Sequence, residues 1–189
     1  MLHLRCETPK AWLEHALKNL DEVLVDHAHC EKKAASTAIS LLSSYPDNPA
    51  LASAMAALAA EEALHLRMVV EALHARGLTL GKDPGDEYAQ RLMTKVRGGS
   101  ERLLDRLLVS ACIEARSCER LKLLSENVQE ETLRALYTEL FKAEAGHFSL
   151  FEQLAEQLYG RDVTRARLSE LLDIEAEIVR TLPIRSVVH

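Results

Sequence analysis

The stretch Glu61-Glu62-Ala63-Leu64-His65-Leu66-Arg67 decides how the rest of the chain is read. Glu62 and His65 are three residues apart, so on a helix both side chains leave the same side and can reach one metal ion. The same spacing returns downstream in Glu144-Ala145-Gly146-His147. Two Glu-x-x-His pairs, with one further Glu from each of two other helices, make a carboxylate-bridged dinuclear metal site inside a four-helix bundle. Two more long helices, each with an inward Glu, are therefore required.

Working outward, Asp47-Asn48-Pro49 opens the helix that carries Glu62, and Gly77 closes it. Core helices are predicted at about 21–44, 49–76, 101–126 and 129–159. Thr8, as N-cap before Pro9, starts a short N-terminal helix, and another short helix follows from Thr164 to about Arg180. Residues 78–100 hold Gly81, Pro84, Gly85, Gly98 and Gly99, which reads as a crossover between two helical hairpins with one short helix inside it. The spacings suggest a duplication, since Glu31 and Glu62 stand 31 residues apart and Glu114 and Glu144 stand 30 apart.

Helical phase tests whether these carboxylates face inward. Leu24, Ala35, Ala38 and Leu42 align with Glu31, and Leu51, Met55, Leu58, Val69 and Leu73 with Glu62. Leu103, Leu107, Ser110, Cys118 and Leu121 align with Glu114, and Leu133, Tyr137, Leu140, Phe148 and Phe151 with Glu144. Each Glu lies within an apolar stripe that has no Lys or Arg in phase. Burying four uncompensated carboxylates exceeds what a domain can supply, so a cation must meet them. Glu71-x-x-His74 and Asp26-x-x-His29 share the spacing but face away, as solvated surface pairs. His27 lies on the inner face one turn before Glu31 and reads as a satisfied core histidine or a partner of the ligands, not as a ligand itself.

Composition agrees with helices. The 189 residues are rich in Leu and Ala, with 4% aromatic side chains, 7 Gly and 5 Pro, and fit one domain spanning 1–189. A net charge of −6 excludes a uniformly basic surface but leaves room for a local basic patch. Cys6, Cys30, Cys112 and Cys118 form no CxxC pair and are expected as reduced thiols. Neither an apolar leader nor a membrane-length apolar run is present, so a soluble cytoplasmic protein is expected.

Four carboxylates and two imidazoles form a hard donor set that fits iron or manganese better than structural zinc. Glu31 and Glu114 are expected as terminal ligands, Glu62 and Glu144 as bridges, and His65 and His147 as one nitrogen for each metal. Six protein ligands leave positions open for O2. Small residues around the ligands (Ala34, Ala35, Ala38, Ala59, Ala63, Ala111, Ala115) leave space beside the ions. The expected fold is an all-α, ferritin-like four-helix bundle with a long crossover and additional short helices at the N-terminus, crossover and C-terminus.

The segment Leu24-Val25-Asp26-His27-Ala28-His29-Cys30-Glu31-Lys32-Lys33-Ala34-Ala35 closely resembles the first metal-binding helix of the bacterial tRNA 2-methylthio-N6-isopentenyladenosine hydroxylase family. The resemblance runs through most of the chain, with the Glu-Glu-x-x-His and Glu-Ala-x-His motifs in their expected helices. It implies an O2-dependent nonhaem diiron monooxygenase that hydroxylates the isopentenyl chain of a modified adenosine beside the tRNA anticodon. The implied cofactor is a carboxylate-bridged pair of iron ions, and the implied partners are the tRNA anticodon loop and an electron-transfer reductase or ferredoxin. In related diiron monooxygenases an oxygen-bearing side chain one turn after the third-helix Glu gates oxygen chemistry, and Cys118 holds that place here. Those enzymes also set an Asp before each bridging Glu to orient a histidine, a position held by Glu61 on one side and Ala143 on the other. Phosphate contacts would come from Lys32, Lys33, Lys82, Arg91, Lys95, Arg97 and Arg102. The alternative is a ferritin- or rubrerythrin-like protein for iron storage or peroxide scavenging, although rubrerythrin's rubredoxin-like module needs CxxC pairs.

Overall fold

In the computed structural model, which describes residues 2–188, Pro46 and Pro49 divide the first half of the chain into a helical hairpin. After α1 (Lys10–Lys18), α2 (Leu20–Ser44) stops at Tyr45, because a residue preceding proline is pushed out of the α region. In α3 (Pro49–Ala75), Pro49 occupies the first turn and the Asn48 side chain accepts a hydrogen bond from the Leu51 amide at 3.0 Å. Gly77, at φ 71°, then closes α3. The amides of Gly77 and Leu78 reach the carbonyls of His74 and Leu73, a geometry that needs a left-handed residue at Gly77.

The crossover contains α4 (Glu87–Met93), capped by the Asp86 carboxylate on the Ala89 amide at 2.9 Å. A 3-10 turn at Gly99–Glu101 leads into α5 (Arg102–Asn127). α6 (Glu131–Tyr159) and α7 (Arg161–Thr181) are separated by Gly160 alone, at φ 83°. The C-terminal helix is not short, as the sequence suggested: it has 21 residues and starts directly after that glycine. Thr8 is not the N-cap of α1. Pro9 is the N-cap of α1, and Thr8 instead gives its amide and hydroxyl to Glu119, the hydroxyl at 2.6 Å.

α2 packs on α3 and α5 on α6, while α3 meets α6, α7 covers α5 and α6, and α4 rests on α5 and α7. The architecture is an all-α, ferritin-like four-helix bundle with a long crossover. No Cα of α2 comes within 8 Å of one in α5 among the described residues, so the seam between these helices is open. Apolar side chains form two separate clusters. One includes Leu41, Leu51, Met55, Leu107 and Phe151, and the other Leu24, Val69, Leu73, Leu121 and Tyr137. In sequence, Glu31, Glu62 and Glu144 fall between the residues of one cluster and those of the other on their own helices, and Glu114 stands one residue before Ala115, the last α5 residue of the first cluster. A buried polar layer thus divides the core.

Two features were not legible in the sequence. Asp26 and His29 are buried, not solvated, because the C-terminal segment folds over them: the Val188 amide donates to Asp26 Oδ2 at 2.7 Å. His29 Nε2 meets the Leu80 carbonyl at 3.1 Å. Glu71 and His74, by contrast, are exposed. Asp105 is fully buried and receives Arg97 Nε at 2.8 Å, the Arg97 amide at 2.9 Å and Arg167 Nη2 at 2.9 Å.

Burial opposes charge on Asp105, but these partners outweigh it and hold the carboxyl well below its ordinary 3.8. A depressed folded pKa stabilises above the unfolded value and is lost as pH falls through the folded one. Asp105→Asn should therefore lower stability at pH 7 and flatten the acid limb below pH ~4. Urea melts at stepped pH would check this, and parallel acid limbs for the two proteins would refute it. Among the described residues no helix is long and apolar enough to cross a membrane, and the four cysteines form no disulfide.

Candidate metal centre

Glu31 on α2, Glu62 and His65 on α3, Glu114 on α5, and Glu144 and His147 on α6 are all buried. They form two overlapping groups whose donor atoms lie within 4.8 Å of one another. Glu31, Glu62, His65 and Glu144 make the first, and Glu62, Glu114, Glu144 and His147 the second. Only Glu62 and Glu144 belong to both, so these two carboxylates alone could join two ions.

Glu62 lies between the histidines. Its Oε2 is 3.6 Å from His65 Nδ1 and its Oε1 is 2.9 Å from His147 Nδ1. Glu31 Oε2 is 3.7 Å from His65 Nδ1, and Glu144 Oε2 is 3.5 Å from His147 Nδ1. Despite these approaches, both oxygens of Glu62, Nδ1 of His65 and both ring nitrogens of His147 are buried without an aligned hydrogen-bond partner. Native interiors rarely leave such atoms unsatisfied. Convergent orphaned donors of metal-ligating type are what a cation would satisfy, and the set fits a pair of them.

Electrostatics support the same conclusion. Burial disfavours the ionised form of Glu114, and the neighbouring Glu144 raises its pKa further, well above the carboxylate range. Glu62 is also raised by burial, with Glu144 and Glu31 adding to it against the two histidines. Burial opposes charge on His65, but Glu31 and Glu62 push its pKa up to about 10. For His147 the same opposition, against Glu144 and Glu62, ends at about 11. Carboxyls pushed up by burial and by one another, beside imidazoles pushed up by those carboxyls, are groups close enough to share a cation.

Around the ligands, His27 Nε2 lies 2.7 Å from Glu31 Oε1, and its ring stacks on Tyr137 with centroids 5.8 Å apart. Burial disfavours charge on Glu31, but His27 and His65 outweigh it and lower its pKa. Glu61 is half exposed and its Oε2 stands 3.4 Å from His147 Nε2, on the neighbouring helix. Cys118 is buried with its thiol donating to the Phe141 carbonyl at 3.2 Å, and burial, then Glu144, lift its pKa to about 11.

A cavity of about 410 Å³ occupies the open α2–α5 seam and reaches Glu31, Glu62, Glu114 and Glu144. Cavities of this size commonly hold small organic ligands. Its α5 wall presents Arg106, Ser110, Ile113 and Ser117, but not Cys118. The hydroxyls near Glu114 are therefore those of Ser110 and Ser117. Phase reasoning found Ser110 but passed over Ser117 and Arg106, because the open seam turns the cavity-facing stripe of α5 away from the axis centred on Glu114. Of the small residues expected beside the ligands, Ala34 lines the cavity and Ala63 is exposed.

The basic residues offered for phosphate contact are mostly occupied. Lys32 pairs with Asp83 at 2.9 Å and Lys33 with Asp86 at 3.5 Å. Arg91 pairs with Glu87, and Arg97 with Glu101 and Asp105. Lys82, Lys95 and Arg102 form no ion pair among the described residues.

A family model described as tRNA-(MS[2]IO[6]A)-hydroxylase (MiaE) matches residues 1–189. The chain is 40% identical over 180 residues to the tRNA 2-(methylsulfanyl)-N(6)-isopentenyladenosine(37) hydroxylase of Pseudomonas putida, covering 94% of this chain and 87% of that one. It is 30% identical over 226 residues to the enzyme of the same description from Salmonella typhimurium, covering 93% and 83%. Among solved structures, it is similar to a Synechococcus protein described as having aldehyde deformylating oxygenase activity. That similarity has a TM-score of 0.94 at 38% identity and covers 98% of this chain and 94% of that one.

Proposed function

Because this chain belongs to the tRNA-(MS[2]IO[6]A)-hydroxylase (MiaE) family, we propose that it is an O2-dependent nonhaem diiron monooxygenase acting on the isopentenyl group of 2-methylthio-N6-isopentenyladenosine beside the tRNA anticodon. The observation that carries this reading is the position of Glu62 between His65 and His147 at the floor of an organic-sized cavity.

Glu31 and His65 would hold one iron and Glu114 and His147 the other, with Glu62 and Glu144, which belong to both donor groups, available to each. When bound, the iron pair supplies the O2 chemistry that an allylic C–H bond requires, with electrons from a separate reductase or ferredoxin. His27 fixes the orientation of Glu31 through its 2.7 Å contact, as outer partners of metal ligands do. Glu61 does the same at longer range for His147. The Ser110 and Ser117 hydroxyls take the oxygen-bearing positions beside Glu114, where the resemblance placed Cys118. Ala34, Ala89, Ile113 and Phe151 give the prenyl chain an apolar wall. The modified adenosine comes from a single-stranded loop, where a base can be splayed out to enter a pocket.

The test is direct. Iron-loaded protein with a reductant, O2 and a prenylated anticodon stem-loop should yield the hydroxylated nucleoside by mass spectrometry. Turnover of a long-chain aldehyde with no product from the stem-loop would replace this reading with the activity described for the Synechococcus relative.

A further inference from the structure

Three arginines are buried in the helical core, and they differ in what they meet. Arg116 is held by Glu175 at 2.8 and 3.0 Å and by Glu119. Arg120 meets the Val187 and Val188 carbonyls and lies over the Trp12 ring at 4.7 Å. Arg106, only 8% exposed, meets hydroxyls alone: Ser40 Oγ at 3.0 Å, Ser44 Oγ at 3.3 Å and the Tyr45 side chain. No carboxylate pairs with it among the described residues. The charge that acts on it is another cation, Arg102, which has no ion pair among the described residues.

A guanidinium stays charged at any physiological pH, and burying it without an anion is costly. Arg106 lines the cavity that reaches the metal ligands. It precedes Glu114 by eight residues on the same helix, which is about 12 Å along the axis. The stretch between them is lined by apolar and small polar side chains.

We propose that Arg106 is a phosphate-binding residue of the substrate cavity, whose guanidinium, together with the Ser40 and Ser44 hydroxyls, receives the phosphate of a nucleotide whose base-bound chain extends to the metal ligands. The inference deepens the hydroxylase reading and rests on it for the identity of the base. The anion itself is assigned by Arg106 alone. The guanidinium fork can give two parallel hydrogen bonds to phosphate oxygens, which a lysine could not. Arg102, at the start of α5, extends the same positive field outward. The site thus acts as a ruler, with phosphate at one end and the oxidisable chain at the other.

Binding to metal-free protein tests this without turnover. Wild-type protein should hold N6-isopentenyladenosine 5′-monophosphate about 10- to 100-fold tighter than the nucleoside, the range of charge-assisted hydrogen bonds. Arg106→Gln should bind both at the nucleoside's affinity, and Arg106→Lys should fall between. The Arg106→Gln melting temperature should be unchanged or higher, because an uncompensated buried cation is removed.

A phosphate preference that is absent in wild type, or that survives Arg106→Gln, overturns the assignment. Unprenylated adenosine monophosphate separates the two readings. If phosphate preference depends on Arg106 but prenylation adds nothing, the anion site stands and the prenyl-nucleotide reading falls. If prenylation matters and phosphate does not, the reverse holds. An equal loss for a prenylated stem-loop in Arg106→Gln places the phosphate in an RNA strand, whereas a loss confined to the monophosphate places it in a free nucleotide.

Discussion

Replacing Glu62 with alanine should reduce bound iron from about two ions per chain to less than one, and should abolish hydroxylation, because one side chain serves both metal groups. The loss should exceed the ~10- to 100-fold effect of removing an outer partner of a ligand. Stability gives a second readout. At about 100 times its dissociation constant, a divalent ion should stabilise wild type by about 2.7 kcal/mol, some 5–11 °C in a chain of this size. The variant should show almost none of that shift. Glu71→Ala is the matched control, since Glu71 has the same spacing to a histidine but is exposed beside Arg67. Elemental analysis and anaerobic melts decide the matter: a variant that keeps two irons and the full thermal shift would remove Glu62 from the site.

Glu175→Ala should be among the most destabilising single changes outside the metal centre. Arg116 and Glu175 are both fully buried, with paired contacts at 2.8 and 3.0 Å, and the Tyr88 hydroxyl donates to Glu175 at 3.0 Å. The Cys6 carbonyl and Thr8 hydroxyl accept from the same guanidinium at 3.1 Å. One cluster thereby ties the N-terminal segment, α4, α5 and α7 together. Removing the carboxylate leaves a buried charge with only Glu119 to answer it, at a cost of about 3–5 kcal/mol. That corresponds to a melting temperature lower by about 6–20 °C. The pair itself need not stabilise, so Arg116→Met with Glu175→Leu should recover most of the loss. A change below about 1 kcal/mol for Glu175→Ala would show that Glu119 suffices.

What was legible in the sequence followed from periodicity. A carboxylate within an apolar stripe is unusual enough that Glu31, Glu62, Glu114 and Glu144 stood out on four helices, and the structure brings them together with His65 and His147. Pro46, Pro49 and Gly77 marked the ends of α2 and α3, because each restricts or frees the backbone locally. The misses share one cause. Asp26 and His29 look outward on their helix, yet residues far along the chain cover them. Thr8 looks like a cap, but a carboxylate 111 positions later binds its hydroxyl more closely. Ser117 and Arg106 lie off the axis centred on Glu114, and only the open α2–α5 seam turns them toward a cavity.

The sequence alone determined the four-helix plan and the six residues able to ligate metal, because each depends on a repeat within a single helix. Only the tertiary structure decided that Glu62 stands between two histidines, that the α2–α5 seam is open, and that Arg106 meets hydroxyls instead of an acid. These depend on how separate helices are spaced. That spacing is set by side-chain packing between elements, which no local pattern encodes.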